Sequence, residues 1–382
     1  MKSGAISHPD APGYVPTPAQ RLLLQAAGAD AETARAAWAR WRERCEPGST
    51  DAASTRLLPR VYSRRELLAV VSADIPVLEE IYRYTWLRNQ RLANAAAQVV
   101  HALQAEKIEV LLLKGLSLLI TGYDDIGERY MDDFDFMIRP ADVERAVAVL
   151  ETLGWKPVAP QSFSPGARRW RHSAELHQVD GLGCDIHWRL SRRPNAPVSE
   201  ELLWSSRVPL SLREERAFTI CAEHMLVHLF VHGISWQRVP AIRWILDAQL
   251  LCRRQPPDWQ KVIAESRRRG VILPVKEAMG ILEDVFPGSV PKANREQVAQ
   301  IQPTRRQRLA HQQVTIPYEQ ATWWVKWSIC REGLYRAMSD GTIRPGLRGA
   351  IQYLCMLWRI QSPFSIPWEL LKRIRQTFVK TR

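Results

Sequence analysis

The chain has 382 residues, enough for one sizeable core or for two or three smaller ones. With 46% apolar residues it is not a disordered chain, and its most apolar late stretch, AIQYLCMLW at Ala350 to Trp358, is too short to span a bilayer. The 53 basic and 40 acidic residues leave a formal charge of +13, which calls for an anionic partner without choosing among nucleotide, nucleic acid and acidic lipid.

The six cysteines show no CxxC or CxxxC spacing, which argues against a disulfide framework and a zinc ribbon and suits a reducing compartment. No basic segment followed by a long apolar one opens the chain, so a soluble cytoplasmic protein is expected. The first eighteen residues, with Pro9, Pro12, Gly13, Pro16 and Pro18, read as a loose arm. Helices are expected over AETARAAWARWRER and SRRELLAVVSAD, separated by a turn region at Cys45 to Ser54. From Val77 to about Lys107 apolar residues return at threes and fours with no proline or glycine, which predicts one long helix.

At IEVLLLKG the pattern changes to a short aliphatic core strand ending in Lys114-Gly115, followed by a short helix, LSLLITGY. DFDFMIRP then alternates polar and apolar residues as a two-faced strand does, and Pro140 ends it. ADVERAVAVLETLG reads as a helix with Asp142 and Glu144 in its first turn and Gly154 as terminator. A hairpin, SAELHQVDGLG, leads into the strand CDIHWRL. Beyond the linker SRRPNAP, helical patterns are expected over REERAFTICAEHMLVHLFVHG, VPAIRWILDAQLLCRR, DWQKVIAESRRRG and VILPVKEAMGILEDVF, then a basic polar stretch at Gln302 to Gln313 and an aromatic, basic helical tail. The expected fold class is α+β: a small mixed sheet flanked by N-terminal helices and a C-terminal helical domain, with sections at 1–75, 76–200 and 201–382.

Three carboxylates stand within RYMDDFDFMIRP. On a strand Asp133 and Asp135 share a face, Asp132 points away, and Phe134 and Phe136 take the opposite face. Two carboxylates forced together repel, and partial burial raises the cost. A divalent cation resolves this, and magnesium favours such hard oxygen ligands. Asp185 supplies a third carboxylate if its strand lies alongside, and three could hold two ions, one on the phosphates of a nucleotide and one at an attacking hydroxyl. For a bare DxD an amphipathic edge strand is the favoured account. The Lys-Gly turn, the preceding arginine and the later carboxylate supply the context that a bare DxD lacks.

Lys114 can neutralise a phosphate or bridge to Asp133 or Asp135, and Arg129 can present its fork to phosphate or carboxylate. His187, two residues after Asp185, shares its face and either orients an acid, touches an acceptor or is simply hydrogen-bonded in the sheet. Trp188 is expected in the core. His224, His228 and His232 fall on one helical face, but HxxxH lacks the glutamate of HExxH and a third ligand, so packing, hydrogen bonding or a substrate-side role is expected over zinc. Asp247 is expected to pair with one of them across the next helix. In the tail, WWVKW and WELLKRIRQTFVKTR fit a peripheral contact with an anionic membrane or a nucleic acid, or a helical lid with its tryptophans packed inward, the favoured reading.

Together IEVLLLKGLSLL, GERYMDDFDFMI, ADVERAVAVLETLGW and CDIHWRL resemble the uncharacterised nucleotidyltransferase family of the DNA polymerase β-like superfamily. The resemblance covers most of residues 85 to 190 and continues more loosely from about 215 to 290. It implies a nucleotidyltransferase core that passes a nucleoside monophosphate from a nucleoside triphosphate to a hydroxyl or phosphate, with pyrophosphate leaving and Mg2+, or Mn2+, assisting. It also implies that Asp133 and Asp135 bind ions, that Asp185 completes the catalytic-ion site, and that Lys114, Gly115, Ser117 and Arg129 line the nucleotide. One departure is Gly115-Leu116-Ser117 where the superfamily often has adjacent Gly-Ser, although backbone N–H groups there can still receive phosphate. The implied acceptor is a small molecule or a peptide, some members being associated with peptide natural-product tailoring, and nucleic acid ranks below these. The rival expectation is a noncatalytic nucleotide- or peptide-binding protein on the same scaffold.

Overall fold

The helix Ile75–Ala105 runs along one side of the molecule, because its buried Leu78, Leu92, Ala96, Val99 and Leu103 repeat at helical spacing and its one proline, Pro76, sits at the start where no N–H is needed. A computed structural model describes residues 13–168, 171–190, 200–235, 239, 241–317, 320–339, 343–344, 346–358, 360 and 362–379. Most of the expected proline-rich arm and the SRRPNAP linker fall outside them.

Seven strands make one mixed sheet: β1 (Leu111–Leu113), β2 (Asp133–Met137), β3 (Lys156–Pro157), β4 (Ser173–His177), β5 (Gly183–His187), β6 (Val208–Leu212) and β7 (Glu215–Thr219). Their order is β3-β4-β5-β2-β1-β7-β6. β2 lies at the centre, antiparallel to β1 and parallel to β5, and β1 is parallel to β7. Helices precede, interrupt and follow the strands, so the architecture is the expected α+β one. On one face of the sheet Phe134, Phe136, Cys184 and Ile186 are buried, with Phe134 edge-on to Trp155 at 5.6 Å. The other face carries the acids and is approached by the helices Lys114–Gly122 and Ala222–Gly233.

Several elements differ from the sequence-based expectation. Residues 213–219 begin no helix: β6 and β7 form a hairpin whose turn holds Arg213 at φ +56°. Leu210, Leu212, Ala217 and Thr219 are buried in alternation with more exposed neighbours, a period of two that the charged Arg-Glu-Glu-Arg start obscures. SRRELLAVVSAD is mostly turns after the short helix Leu58–Ser63, with Ala69 at φ +50°. Besides short helices such as Ala52–Thr55 and Glu201–Ser205, three longer ones lie outside the sequence-based expectation: Pro18–Gly28, Lys292–Gln300 and, inside the basic polar stretch, Arg305–Thr315. Of these three, the first and third open on capping boxes at Thr17 and Thr304.

One continuous apolar core joins Leu23 and Leu24 near the N-terminus to the sheet and to Val285 and Val298, while Ala337, Ile343 and Tyr353 form a small separate cluster in the tail. The expected inward packing of the tail tryptophans is corrected for three of them: Trp324, Trp327 and Trp368 are 61%, 55% and 73% exposed. The tail has too small a core of its own to bury them. No helix among the described residues is long and apolar enough to cross a membrane.

Candidate active site

Sheet register assembles the acids. β2 and β5 run parallel with Asp135 opposite Asp185 and Asp133 opposite Gly183, so Asp133, Asp135, Asp185 and His187 all project from one face. On the other side of β2, Leu113 pairs with Asp135, which delivers the next residue, Lys114, to the same place. Lys114 begins the helix Lys114–Gly122 with φ +35°, a left-handed conformation that an L side chain rarely adopts and that marks this turn as strained. Its Nζ lies 3.0 Å from Asp135 Oδ1, and His187 Nε2 lies 3.1 Å from that same oxygen and 3.9 Å from Asp185 Oδ2.

Charge in this cluster is unbalanced. Burial opposes ionisation of Asp135, but Lys114 and His187 outweigh it and hold the carboxyl well below its usual range. Asp133 gets no comparable help: burial, then Asp135 and Asp185, push it up to about 7. Asp185 is raised as well, by burial first and by Asp135, against the opposing pull of His187. Three carboxylates thus share chiefly one ammonium and one imidazole. A hard divalent cation fits here on two counts, the excess negative charge and the donor set: oxygens of Asp135 and Asp185 and a nitrogen of His187 lie within 4.8 Å of one another.

The turn beside the acids opens the helix Lys114–Gly122. The helix Lys114–Gly122 has no side-chain cap, so its first N–H groups remain available. At Gly115 a Cβ would stand 3.0 Å from Met131 Sδ and 3.6 Å from Arg129 Nη1, which explains glycine at this close approach. Ser117 is buried, and its hydroxyl meets Thr219 Oγ1 at 2.5 Å while Thr219 donates to the Leu112 carbonyl. Here it fastens the helix to β1 and β7.

Arg129 is placed differently from Lys114. It is buried, with Nε and Nη2 donating to Asp247 Oδ1 and Oδ2 at 2.8 and 2.9 Å, and the Tyr123 hydroxyl donates to the same carboxylate at 2.7 Å. The loop before β2 is further fixed by Asn89, which donates to the carbonyls of Ile126 and Arg129, and by Arg88, which donates to those of Met131 and Asp132. Asp247 therefore pairs with Arg129, correcting the expectation that it meets a histidine. Asp132 turns outward to Arg56 at 2.9 Å.

Among the three spaced histidines, His224 meets Glu265 at 3.0 Å; burial disfavours its charge, but Cys221 and Glu265 prevail and raise it to about 9. His228 faces the acids, its ring 6.4 Å from that of His187 and 6.4 Å from that of His232. Burial, then Lys114, keep His228 neutral. Gly233 ends this helix against Trp244, whose ring atoms would stand 2.3–2.5 Å from a Cβ there. Trp188 is in the core as expected, donating Nε1 to the Arg171 carbonyl. His187 is hydrogen-bonded to Asp135 at 3.1 Å, and Asp185 is more exposed than Asp135.

The site thus consists of clustered carboxylates on central strands of a mixed sheet, a lysine at the preceding turn and an uncapped helix start. The chain matches the family model described as "uncharacterised nucleotidyltransferase" over residues 51–287, and it belongs to that family. Among solved structures it is similar to the lincosamide antibiotic adenylyltransferase LnuA in its lincomycin-bound form, at 17% identity, a TM-score of 0.29, and coverage of 40% of this chain and 92% of that one. It is also similar to an antigenic nucleotidyltransferase-like protein from Paracoccidioides brasiliensis, at 12% identity, a TM-score of 0.37, and coverage of 51% and 88%. No curated protein matches the chain.

Proposed function

We propose that the protein transfers a nucleoside monophosphate from a nucleoside triphosphate to a hydroxyl or phosphate of a small-molecule or peptide acceptor, releasing pyrophosphate with the help of Mg2+ or Mn2+. The observation that carries this reading is Asp135 in register with Asp185, with Asp133 on the same face and Lys114 as their nearest ammonium. Asp133, Asp135 and Asp185 would hold the ions. A bound divalent cation supplies neutralisation of the triphosphate and of the charge that develops during transfer.

The chain's own groups do the rest. Lys114, 3.0 Å from Asp135, would neutralise a β- or γ-phosphate, and the N–H groups at the start of the helix Lys114–Gly122, which no side chain caps, would receive phosphate oxygens. Asp185, with its side chain 28% exposed against 9% for Asp135, is the carboxylate open to the acceptor. It draws the proton as the acceptor oxygen bonds to the α-phosphorus and the bond from that phosphorus to the bridging oxygen breaks.

Labelled nucleoside triphosphates incubated with candidate acceptors should release pyrophosphate only with the metal, and Asp133→Asn and Asp135→Asn should abolish it. Activity that persists in both variants removes their role. Nucleotide binding without turnover across a broad acceptor panel supports the noncatalytic reading instead. The spacing of the six cysteines, with no CxxC or CxxxC pair, suits a cytoplasmic location.

The tail favours a peripheral membrane contact as well. Phe364, Trp368 and Leu371 are exposed, and from residue 341 onward the only acidic residue is Glu369, amid Arg344, Arg348, Arg359, Lys372, Arg373 and Arg375. Co-sedimentation with anionic but not neutral vesicles, lost in Trp368→Ser/Leu371→Ser, is the expected result; equal recovery with both vesicle types removes the contact.

A further inference from the structure

We propose that His187 is itself a ligand of the divalent cation, binding through Nε2, and that its Nδ1–H is held by His228. This role rests on the metal-assisted reading of the site and adds a nitrogen to its donor set.

Two independent observations lead there. The first is spacing. An ion with metal–ligand distances of about 2.1 Å holds neighbouring donors about 3.0 Å apart and opposite donors about 4.2 Å apart. His187 Nε2 lies 3.1 Å from Asp135 Oδ1 and 3.9 Å from Asp185 Oδ2, and all three residues present donor atoms within 4.8 Å. These separations match a shared ion with little movement. Asp133 stands outside that group of three.

The second is a pair of orphaned nitrogens. His187 is 1% exposed, and its Nδ1 is buried with no hydrogen-bond partner. His228 is 6% exposed, its Nε2 is likewise buried without a partner, and its ring stands edge-on to that of His187 with centroids 6.4 Å apart. Two such atoms in adjacent rings are uncommon in a folded protein. One change satisfies both. If the His187 proton sits on Nδ1 rather than Nε2, Nδ1 becomes a donor for which His228 Nε2 is the acceptor, directly or through one water, and the Nε2 lone pair is released toward Asp135 and Asp185. A metal-bound imidazole is commonly held in this way by a partner at its other nitrogen. His228 is then a positioning residue, acting on the ion only through the ring it holds. An imidazole among carboxylates also moves the site's preference from Mg2+ toward Mn2+.

Full-length protein loaded with Mn2+ and a nonhydrolysable nucleoside triphosphate, measured by electron spin-echo envelope modulation, tests this without an activity readout. Unlabelled protein should show 14N modulation that changes to the 15N pattern on labelling histidine with 15N and vanishes in His187→Asn. His228→Phe should keep the modulation and weaken Mn2+ binding by about 10–100-fold. Mn2+ bound with no nitrogen modulation, or modulation that survives in His187→Asn, overturns the ligand role and leaves the transferase reading standing. Failure to bind Mn2+ or Mg2+ even with nucleotide overturns both. Should His187→Asn not fold, the isotope shift and the His228→Phe affinity still decide, and unchanged affinity in His228→Phe overturns the part given to His228.

Discussion

Asp247 and Asp135 are both buried carboxylates facing a cation, and they differ in how far each is closed off. At Asp247 both oxygens are taken by the fork of Arg129, and Tyr123 adds a third donor. At Asp135 Lys114 and His187 crowd onto one oxygen, while Asp133 and Asp185 bring further negative charge to the same face. A carboxylate whose lone pairs are filled by fixed donors holds the loop before β2 in place. One that shares too few counter-charges with its neighbours leaves the cluster holding a proton, here at Asp133, in a place that a partner from outside the chain can take. The contrast assigns the first cluster to scaffold and the second to chemistry.

The largest effects should divide along that line. Asp135→Asn should lower transferase activity on the order of 10³-fold or more, with a smaller loss of stability than at Asp247, since Lys114 and His187 lose the carboxylate they face while the repulsion with Asp133 and Asp185 is relieved. Asp247→Asn should cost stability by about 3–5 kcal/mol, because it leaves Arg129 buried without its counter-ion. Replacing both, as Arg129→Met/Asp247→Leu, should recover much of that loss, as a double-mutant cycle in urea would read. An Asp135→Asn protein that unfolds while Asp247→Asn melts normally reverses the assignment. Next in size is Lys114→Met, which should raise KM for the triphosphate about 10- to 100-fold through loss of one charged contact, with the fold kept. An unchanged KM would leave Lys114 a partner of Asp135 alone.

What could be read in the sequence follows from how local each signal is. Asp133, Asp135 and their Phe134 and Phe136 neighbours lie within five residues, so strand alternation alone places the acids on one face. Asp185 needed adjacency of β5 to β2, and the structure supplies it. The Arg129–Asp247 pair joins residues 118 positions apart, and no periodicity links them. Its one local trace is an aspartate amid the apolar residues of RWILDAQLL, which requires a buried cation without saying which. His187 meets Asp135 across 52 positions, so its role stayed among several. The β6–β7 hairpin was misread because charged residues at its turn mimic a helix start, and its pairing to β1 is settled only by the sheet. Chain length suggests a need for the tail tryptophans in the core, whereas Trp324, Trp327 and Trp368 lie outside it.

The smallest effect is also the one that separates the clusters by sign. Arg129 outweighs burial at Asp247 and holds its carboxyl below the usual 3.8, so the stability from that pair is complete above 3.8 and is lost as the pH falls through the lower folded-state value. Asp133 behaves oppositely. With its value pushed up to about 7, the metal-free folded chain keeps a proton that the unfolded chain has released at any pH between 3.8 and about 7. Folding is therefore favoured at the acid end of that window, and the advantage is lost as the pH rises through it. Thermal melts of metal-free protein should show a component that falls from pH 4 to pH 7, on the scale of a few degrees. Asp133→Asn should flatten it, and saturating Mn2+ should do the same in the wild type by replacing the proton with a cation. If the slope over this window is left unchanged by Asp133→Asn and by Mn2+, the acids on β2 and β5 are already balanced within the chain, and the distinction between scaffold and chemical clusters fails at its weaker end.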